Sequence, residues 1–175
     1  MIQHELSIYL NRPVEQVFAF LADTGKLSTW QSNLIKIEQL SAGPLGTGSR
    51  FREVRRMGPR ESEVQAEIIA FEPNRRFETK TLTKPQVTVS YSFEAEDGGT
   101  RLKHKFIMLT SGLMRLLEPL IAGSIKKESA SDFETLKRML EKLIPSLLLI
   151  QQLHISSIKR DGERHLFLPL ISRIS

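Results

Sequence analysis

The stretch of sequence that decides the fold is LMRLLEPLIAGSIKKESASDFETLKRMLEKLI, which occupies residues 113–144. Its large apolar residues recur every three or four positions, the spacing that places side chains on one face of an α-helix. We therefore predict a long helix over residues 113–144 whose apolar face covers a sheet. That face consists of Leu113, Leu116, Leu117, Leu120, Ile121, Ile125, Phe133, Leu136, Leu140, Leu143 and Ile144.

The middle of this predicted face carries small residues. Ser129, with Ala130 and Ser131 beside it, lies between Ile125 and Phe133. Small side chains on a buried face leave space beneath the helix, and such a space is a common way to hold an apolar ligand. We expect an internal cavity with the helix as its lid. The alternative is a helix on a solid core in which Ser129 is merely tolerated.

Two prolines are expected to define the ends of this helix. Pro119, followed by Gly123, interrupts its start, because proline removes one backbone hydrogen bond and bends a helix. Residues 113–118 are therefore predicted to form either a separate turn or a mobile gate. Pro145 is predicted to end the helix.

The residues after the helix form an apolar C-terminal extension, 145–175, beyond a predicted domain of residues 1–144. Two apolar runs flank the turn candidate at 160–163, a pattern that favours a hairpin. The extension is too apolar for a comfortable free tail. It is expected to dock on its own domain or to form a homodimer contact. Contact with a membrane and a loosely held extension without a function are the alternatives.

The amino-acid composition excludes several classes of functional site. A chain of 175 residues is long enough to bury an adequate core without disulfides or structural metal ions. The absence of cysteine excludes thiolate metal sites, disulfides and cysteine nucleophiles. The four histidines lie far apart in the sequence and have no zinc-ligand spacing. We expect no metal and no cofactor. These histidines are His4, His104, His154 and His165.

Charge and hydropathy predict the location and the partners. The start of the chain lacks the pattern of a secretory signal, and no stretch reaches about 18 uninterrupted apolar residues. We expect a cytoplasmic protein without an integral membrane segment. The net charge of +5 comes mostly from scattered basic residues, so no nucleic-acid partner is expected. The densest basic cluster either attracts acidic head groups or is the solvated face of a strand. It contains Arg50, Arg52, Arg55, Arg56 and Arg60.

Seven segments read as strands separated by turn residues such as Gly-Pro and Asp-Gly. They are joined mostly by hairpin-length links, which predicts an antiparallel sheet with one dry face. A helix from Pro13 and a short turn that ends at Trp30 follow the first strand, so the fold class is α+β. The predicted strands are 3–10, 34–40, 49–56, 62–71, 76–82, 87–95 and 101–109.

Alternation along these strands predicts which side chains face the long helix. Glu53 and Arg55 follow the inward Phe51 at a period of two, which places a charged pair where an apolar pair is expected. Trp30 is either an aromatic residue at the cavity mouth or a plug in the core. The predicted ligand-binding set is Trp30, Phe51, Glu53, Arg55, Val64, Ile68, Val89, Tyr91, His104, Phe106, Ile125, Ser129 and Phe133.

Five motifs follow one another between about residues 2 and 141. They are NRPVEQVF at 11–18, Asp23 with Leu27 and Trp30, GTGSRF at 46–51, GGTRL at 98–102 and FETLK at 133–137. In order and spacing they resemble the START-like, or SRPBCC, superfamily, which includes polyketide cyclase/dehydrase-like and lipid-transport families. This resemblance implies the helix-grip fold, in which a curved seven-stranded antiparallel sheet grips a C-terminal helix over a cavity.

The resemblance leaves two kinds of function open, because one fold supports many activities. The first is a non-catalytic protein that binds a hydrophobic or amphipathic small molecule, lipid-like or polyketide-like. The second is a cyclase or dehydratase-like enzyme with a general acid or base near a bound carbonyl. His104 separates them as the catalytic candidate, because an inward imidazole titrates near neutral pH. The alternative is that His104 simply satisfies a polar neighbour.

Overall fold

A computed structural model of the protein describes the backbone of residues 1–164 and the side chains of residues 1–142. Two compact units make up the chain, Met1–Glu141 and Lys142–Ser175. The strands are β1 Ile2–Leu10, β2 Leu34–Gln39, β3 Arg50–Met57, β4 Arg60–Glu72, β5 Arg76–Thr81, β6 Val87–Glu96 and β7 Gly99–Met108. The helices are α1 Val14–Ala22, α2 Thr24–Trp30 and α3 Glu118–Arg164, and a 3₁₀ turn, Gly112–Leu117, precedes α3.

All seven strands form one antiparallel sheet in the order β1-β7-β6-β5-β4-β3-β2. Consecutive strands from β2 to β7 are neighbours, as short hairpin links require. β1 instead pairs with β7, and α1 and α2 lead the chain from β1 at one edge of the sheet to β2 at the other edge. The predicted α+β fold with an antiparallel sheet and a C-terminal helix is confirmed.

Alternation along the strands separates a core face from a solvent face. In β7, the buried Leu102 and His104 alternate with the partly exposed Arg101 and the exposed Lys103. The first half of α3 and the two short helices cover the core face. The buried core comes from every one of these layers and includes Leu10, Val17, Phe18, Leu21, Trp30, Phe51, Ile68, Phe77, Tyr91, Phe93, Leu102, Phe133, Leu136 and Leu140.

Two of the sequence motifs meet at the end of the sheet where β1 finishes. The Arg12 guanidinium Nε donates a hydrogen bond to the Leu140 carbonyl at 2.7 Å. The Thr100 hydroxyl donates to the Arg12 carbonyl, also at 2.7 Å. Since Arg12 and Thr100 are both buried, these bonds replace lost contacts with water. They fix α3 near Leu140 to the β1 end of the sheet.

Gly99 lets β7 approach β1 at the same end. A Cβ atom at this position would lie 2.5 Å from the Leu10 carbonyl oxygen and 2.5 Å from the Tyr9 hydroxyl. The carbonyl belongs to the backbone of β1, so the strand itself would have to shift. Glycine is therefore required here for close packing of two backbones.

Gly99→Ala is expected to lower the free energy of unfolding by about 2 kcal/mol or more, because the new methyl group displaces β1. Urea denaturation measures the loss. Gly46→Ala is the matched control, since a Cβ there meets no atom within 4 Å, and it should change stability by less than about 0.5 kcal/mol. Equal losses in the two variants would show that the β1–β7 approach is not tight.

The prediction for the start of the long helix is wrong in one respect. Periodicity assigns Leu113, Leu116, Leu117 and Leu120 to the face that covers the sheet, yet they are 54–81% exposed. The first three lie in the 3₁₀ turn, which ends where α3 begins at Glu118. Glu118 accepts a hydrogen bond from the amino group of Met1, the residue before β1. The leucines therefore lie at the end of the sheet, with no strand beneath them.

The predicted stripe of small residues is also narrower than expected. Ala130 and Ser131 are exposed, and Ser129 alone is half-buried. Asp132 and Phe133 face the sheet instead, with 8% and 3% exposure. The α-helical period places residues three and four positions after Ser129 on its own face and turns the two intervening residues away. Of the three small residues, Ser129 alone can therefore leave space beneath this part of α3.

The helix does not end at Pro145 as predicted, since α3 continues to Arg164. Proline removes only one bond of the helical ladder, and the leucines, glutamines and lysines after it are good helix formers. Residues 160–163, the predicted turn of a hairpin, are helical as well. The second apolar run of that hairpin, from 166 onward, lies outside the described residues. Among the helices that the structure describes, none is long and apolar enough to span a membrane.

Candidate functional site

An aromatic cluster fills the space between the middle of the sheet and α3. Phe133 of α3 packs against Trp30, with ring centroids 5.8 Å apart, and against His104 at 4.9 Å. Tyr91 of β6 lies 5.1 Å from His104 and stacks on Phe77 at 5.9 Å. Each of these five side chains is less than 9% exposed. The cluster joins the sheet, α2 and α3 at one point.

His104 is held as a neutral imidazole. Burial, together with the smaller effect of the nearby His4, lowers its pKa to about 4. The two histidine rings lie 6.4 Å apart on neighbouring strands. Among the described residues, His104 Nδ1 and His4 Nε2 have no hydrogen-bond partner. At neutral pH, His104 is therefore able to accept a proton but holds none to give away as an imidazolium.

The pKa of Tyr91, which lies beside His104, is shifted in the opposite direction. Burial raises the pKa of its hydroxyl far above the usual value near 10. Its phenol is therefore protonated at neutral pH. At neutral pH, a neutral imidazole beside a protonated phenol offers one acceptor and one donor to the same bound group.

A polar network lies beside this cluster, centred on Arg55 of β3. The Arg55 guanidinium donates to the Glu53 carboxylate at 2.6 Å, to the Asn33 side-chain oxygen at 2.6 Å and to the Gln31 side-chain oxygen at 3.1 Å. The predicted inward pair of Glu53 and Arg55 is thus an ion pair, and both residues are half-buried. The network ties β3 to the segment that follows α2.

Two carboxylates of α3 complete the network. Asn33 donates its side-chain amide to Glu128, and the Ser32 backbone N–H donates to Asp132 at 3.1 Å. Burial raises the pKa of both carboxyl groups, and the negative charge of Asp132 raises that of Glu128 further. Three carboxyl groups share one guanidinium, so this side of the site is electronegative when they are all ionised.

Toward the end of the sheet where β7 finishes, the inward side chains become half-exposed. Val89 of β6 lies opposite Phe106 of β7, and both are half-buried. Ile125 and Ser129 of α3 have the same intermediate exposure. The sheet and the helix are therefore less tightly packed here than at Leu136 and Leu140, which are 0% and 2% exposed.

The structure places every residue of the predicted ligand-binding set on the inward side of the domain. Trp30, Tyr91, His104 and Phe133 form the aromatic cluster, while Phe51, Val64 and Ile68 lie in the core beneath β3 and β4. Glu53 and Arg55 belong to the polar network, and the remaining four line the half-exposed end. That these residues bind a ligand stays a prediction.

Sequence reasoning missed the polar residues that surround Arg55. Glu128 and Asp132 are four positions apart, the spacing that aligns two side chains on one helical face, so the pair was detectable in the sequence. Gln31, Ser32 and Asn33 directly follow Trp30 and gave no comparable signal. His4 alternates with Leu6 and Ile8 in β1 and was detectable as an inward residue.

A depression of about 610 Å³ lies on the sheet, lined largely by polar and charged residues of the solvent face such as Arg76, Ser90, Ser92 and Lys103, and His104 also contributes to its lining. Within residues 1–142, no three His, Asp or Glu side chains lie close enough together to hold a metal ion.

Solved structures with the same fold are numerous. The protein TTHA0849 from Thermus thermophilus is 17% identical, covers 81% of this chain and 98% of its own, and has a TM-score of 0.68. The Zhui aromatase/cyclase from Streptomyces sp. R1128 is 16% identical over 81% of this chain and 94% of its own, with a TM-score of 0.65. The di-domain ARO/CYC StfQ from the steffimycin biosynthetic pathway is 13% identical over 82% of this chain and 52% of its own, with a TM-score of 0.67.

These structural similarities establish the fold, and the resemblance predicted from the sequence is confirmed. No curated protein sequence matched the chain. The sequence profile of one family, described as polyketide cyclase / dehydrase and lipid transport, matches residues 1–141. This range includes the sheet, the aromatic cluster and the polar network. The chain belongs to the polyketide cyclase / dehydrase and lipid transport family.

Proposed function

We propose that the protein binds a hydrophobic or amphipathic small molecule between the inward face of the sheet and α3. The observation that carries the proposal is the change in packing along α3. Side chains are fully buried near Leu140 but only half-buried around Val89, Phe106 and Ile125. An apolar surface that is open at one end and closed by aromatic rings at the other suits a ligand with an apolar body.

Polar atoms at the closed end are suited to orient such a ligand. The Trp30 indole N–H and the His104 Nδ1 atom have no hydrogen-bond partner among the described residues, although both side chains are less than 7% exposed. Leaving a buried polar atom unpaired costs about 1–3 kcal/mol. A ligand with a carbonyl or hydroxyl group recovers part of that cost when it reaches the cluster. We therefore favour a ligand with an apolar body and a small polar group at its inner end.

Trp30 makes the proposal testable, because it is the only tryptophan in the chain. The probe cis-parinaric acid, a polyunsaturated fatty acid, absorbs where tryptophan emits. Its binding beside Phe133, whose ring lies 5.8 Å from Trp30, is expected to quench Trp30 emission by energy transfer. A fluorescence titration of the full chain gives the dissociation constant.

Ile125→Glu is expected to weaken probe binding by roughly tenfold or more, since it places a carboxylate on the apolar inward face of α3. Ser124→Glu is the matched control, because Ser124 is the neighbouring residue and is exposed. It should bind the probe as the wild type does. The absence of Trp30 quenching in the wild type, or equal binding by the two variants, would contradict a site between sheet and helix.

A second candidate function is supported by the pairing of His104 with Tyr91. A neutral buried base next to a protonated phenol is the arrangement needed to remove a proton beside a carbonyl group while the phenol donates to the carbonyl oxygen. Two of the similar structures are described as aromatase/cyclase or ARO/CYC proteins. This function is a cyclase or dehydratase-like activity with His104 as the base.

Native mass spectrometry of co-purifying compounds separates the two functions. A compound that wild type and His104→Ala both hold unchanged supports a carrier. A compound that the wild type converts, and that His104→Ala only holds, supports the enzyme.

A further inference from the structure

The most exposed apolar surface of the described residues lies at the start of α3. We call Leu113, Leu116, Leu117 and Leu120 the leucine ridge, and these side chains are 81%, 78%, 54% and 72% exposed. Single exposed leucines are ordinary, but four large apolar side chains within eight residues form a contiguous patch. Such patches mark surfaces that contact a partner or a membrane.

The leucine ridge is anchored to the rest of the domain. Glu118, directly after its 3₁₀ turn, accepts a hydrogen bond from the Met1 amino group at 2.6 Å and a second one from the Thr110 hydroxyl. The positively charged chain start neutralises this carboxylate, which is the only acidic residue between 97 and 128. The ridge is thus a fixed structural feature with no uncompensated negative charge in its own segment.

Exposed basic side chains lie within the ridge and elsewhere at the same end of the domain. Arg115 lies within it, and Lys127 follows Leu120 by seven positions, two helical turns later on the same face of α3. Lys84 lies in the β5–β6 connection, and Arg56 and Arg60 lie at the β3–β4 hairpin, all at the same end of the sheet as Met108. All five are exposed. None of them forms an ion pair with another described residue.

We propose that this end of the domain docks onto an anionic lipid bilayer, with the leucine ridge inserted at the interface and the basic side chains on the lipid head groups. Leucines enter the boundary between head groups and acyl chains, while arginine and lysine are attracted to anionic lipids. The surface carries both components: Glu118, the acidic residue next to the leucines, is compensated by the Met1 amino group, and the five basic side chains outnumber Glu61, an exposed acidic side chain opposite Arg56. Charge complementarity therefore selects an anionic membrane as the occupant.

The proposed orientation agrees with the packing of the domain. The half-exposed inward side chains Val89, Phe106 and Ile125 lie toward the same end of the sheet as the ridge. Docking there places the open end of the apolar face against lipid. The docking itself rests on the exposed leucines and the charges, and it does not depend on which ligand the domain binds.

A single labelled cysteine tests the proposal, because the chain contains no cysteine. Leu116→Cys in the full chain carries an environment-sensitive NBD fluorophore at the centre of the ridge. Leu40→Cys is the matched control, since Leu40 is also exposed, at 42%, but follows β2 at the opposite end of the sheet. Each labelled variant is mixed with vesicles of phosphatidylcholine alone and, separately, with vesicles that also contain phosphatidylglycerol.

We expect a blue shift and a gain in NBD emission at position 116 only, and only with phosphatidylglycerol vesicles, and we expect added salt to reverse it. In co-sedimentation, Leu117→Asp should weaken vesicle binding by roughly tenfold, while Leu40→Asp should leave it unchanged. Equal signals at positions 116 and 40, or no binding to phosphatidylglycerol vesicles, would overturn the proposal.

Other occupants of the ridge give different signals. An NBD label at position 116 that is already blue-shifted without vesicles means that protein covers the ridge. If that shift disappears on dilution, the occupant is a second copy of the chain; if it persists on dilution, the occupant is the chain's own C-terminal segment. Either result overturns membrane docking.

Discussion

Phe133→Ala is expected to lower the free energy of unfolding by about 3–5 kcal/mol, the usual cost of removing a buried phenylalanine ring. Phe133 is 3% exposed and contacts aromatic rings from three separate elements. Its centroid lies 4.9 Å from His104 of β7, 5.8 Å from Trp30 of α2 and 6.4 Å from Tyr91 of β6. Removal of the ring leaves a space that none of these side chains can fill without moving the others.

Urea denaturation followed by circular dichroism measures this loss, and Trp30 emission reports the local change. Leu120→Ala is the matched control on the same helix, because Leu120 is 72% exposed. The free energy of unfolding of this variant should differ from that of the wild type by less than about 0.5 kcal/mol. Phe133→Leu should recover part of the loss. A cost below about 1 kcal/mol for Phe133→Ala would mean that α3 stands away from the sheet and encloses a wide cavity there.

The sheet and its inward side chains were predictable because alternation is a local signal. His104 alternates with Leu102 and Phe106, and each β7 residue lies opposite its partner on β6. Once one residue of a strand is known to be inside, the period of two determines the others. His104 and Tyr91 were therefore found to share a face without knowledge of the tertiary structure.

The leucine ridge was not predictable by the same reasoning. Over the few residues from Leu113 to Leu117, a 3₁₀ period and an α-helical period give the same apolar spacing. Whether those leucines are buried depends on where the sheet ends, at Met108, and that is a property of the whole fold. Periodicity indicates that side chains share a face, but not that anything lies beneath the face.

The polar network around Arg55 was also only partly predictable from the sequence. Arg55 and Glu53 were predicted to share the inward face, and they do. The partners that decide their role, Asn33 and the two carboxylates of α3, come from elements distant in the sequence. Pairing across such distances depends on how α3 lies on the sheet. The electronegative side of the site therefore became visible only in the structure.

The largest pH effect is expected from His104. The unfolded chain binds a proton on this residue below about 6.5, whereas the folded protein holds its pKa near 4 by burial and by the proximity of His4. Between these two pKa values the unfolded state carries one more proton, so stability falls as the pH falls. Across this pH interval, the titration of His104 lowers the free energy of unfolding by about 3 kcal/mol. This loss of stability is absent above the unfolded-state pKa and constant below the folded-state pKa.

His104→Leu removes this titration and should flatten the dependence of stability on pH between about 6.5 and 4, measured by urea denaturation at several pH values. Glu128 and Asp132 also titrate with raised pKa values, but they are present in both proteins and cancel in the difference. His4→Gln is the intermediate case, since it removes only the smaller of the two causes and leaves burial in place. Because the comparison uses slopes, a change in overall stability of His104→Leu does not affect it. Parallel pH profiles for wild type and His104→Leu would show that folding leaves the pKa of His104 at its unfolded value, and that burial and His4 do not lower it.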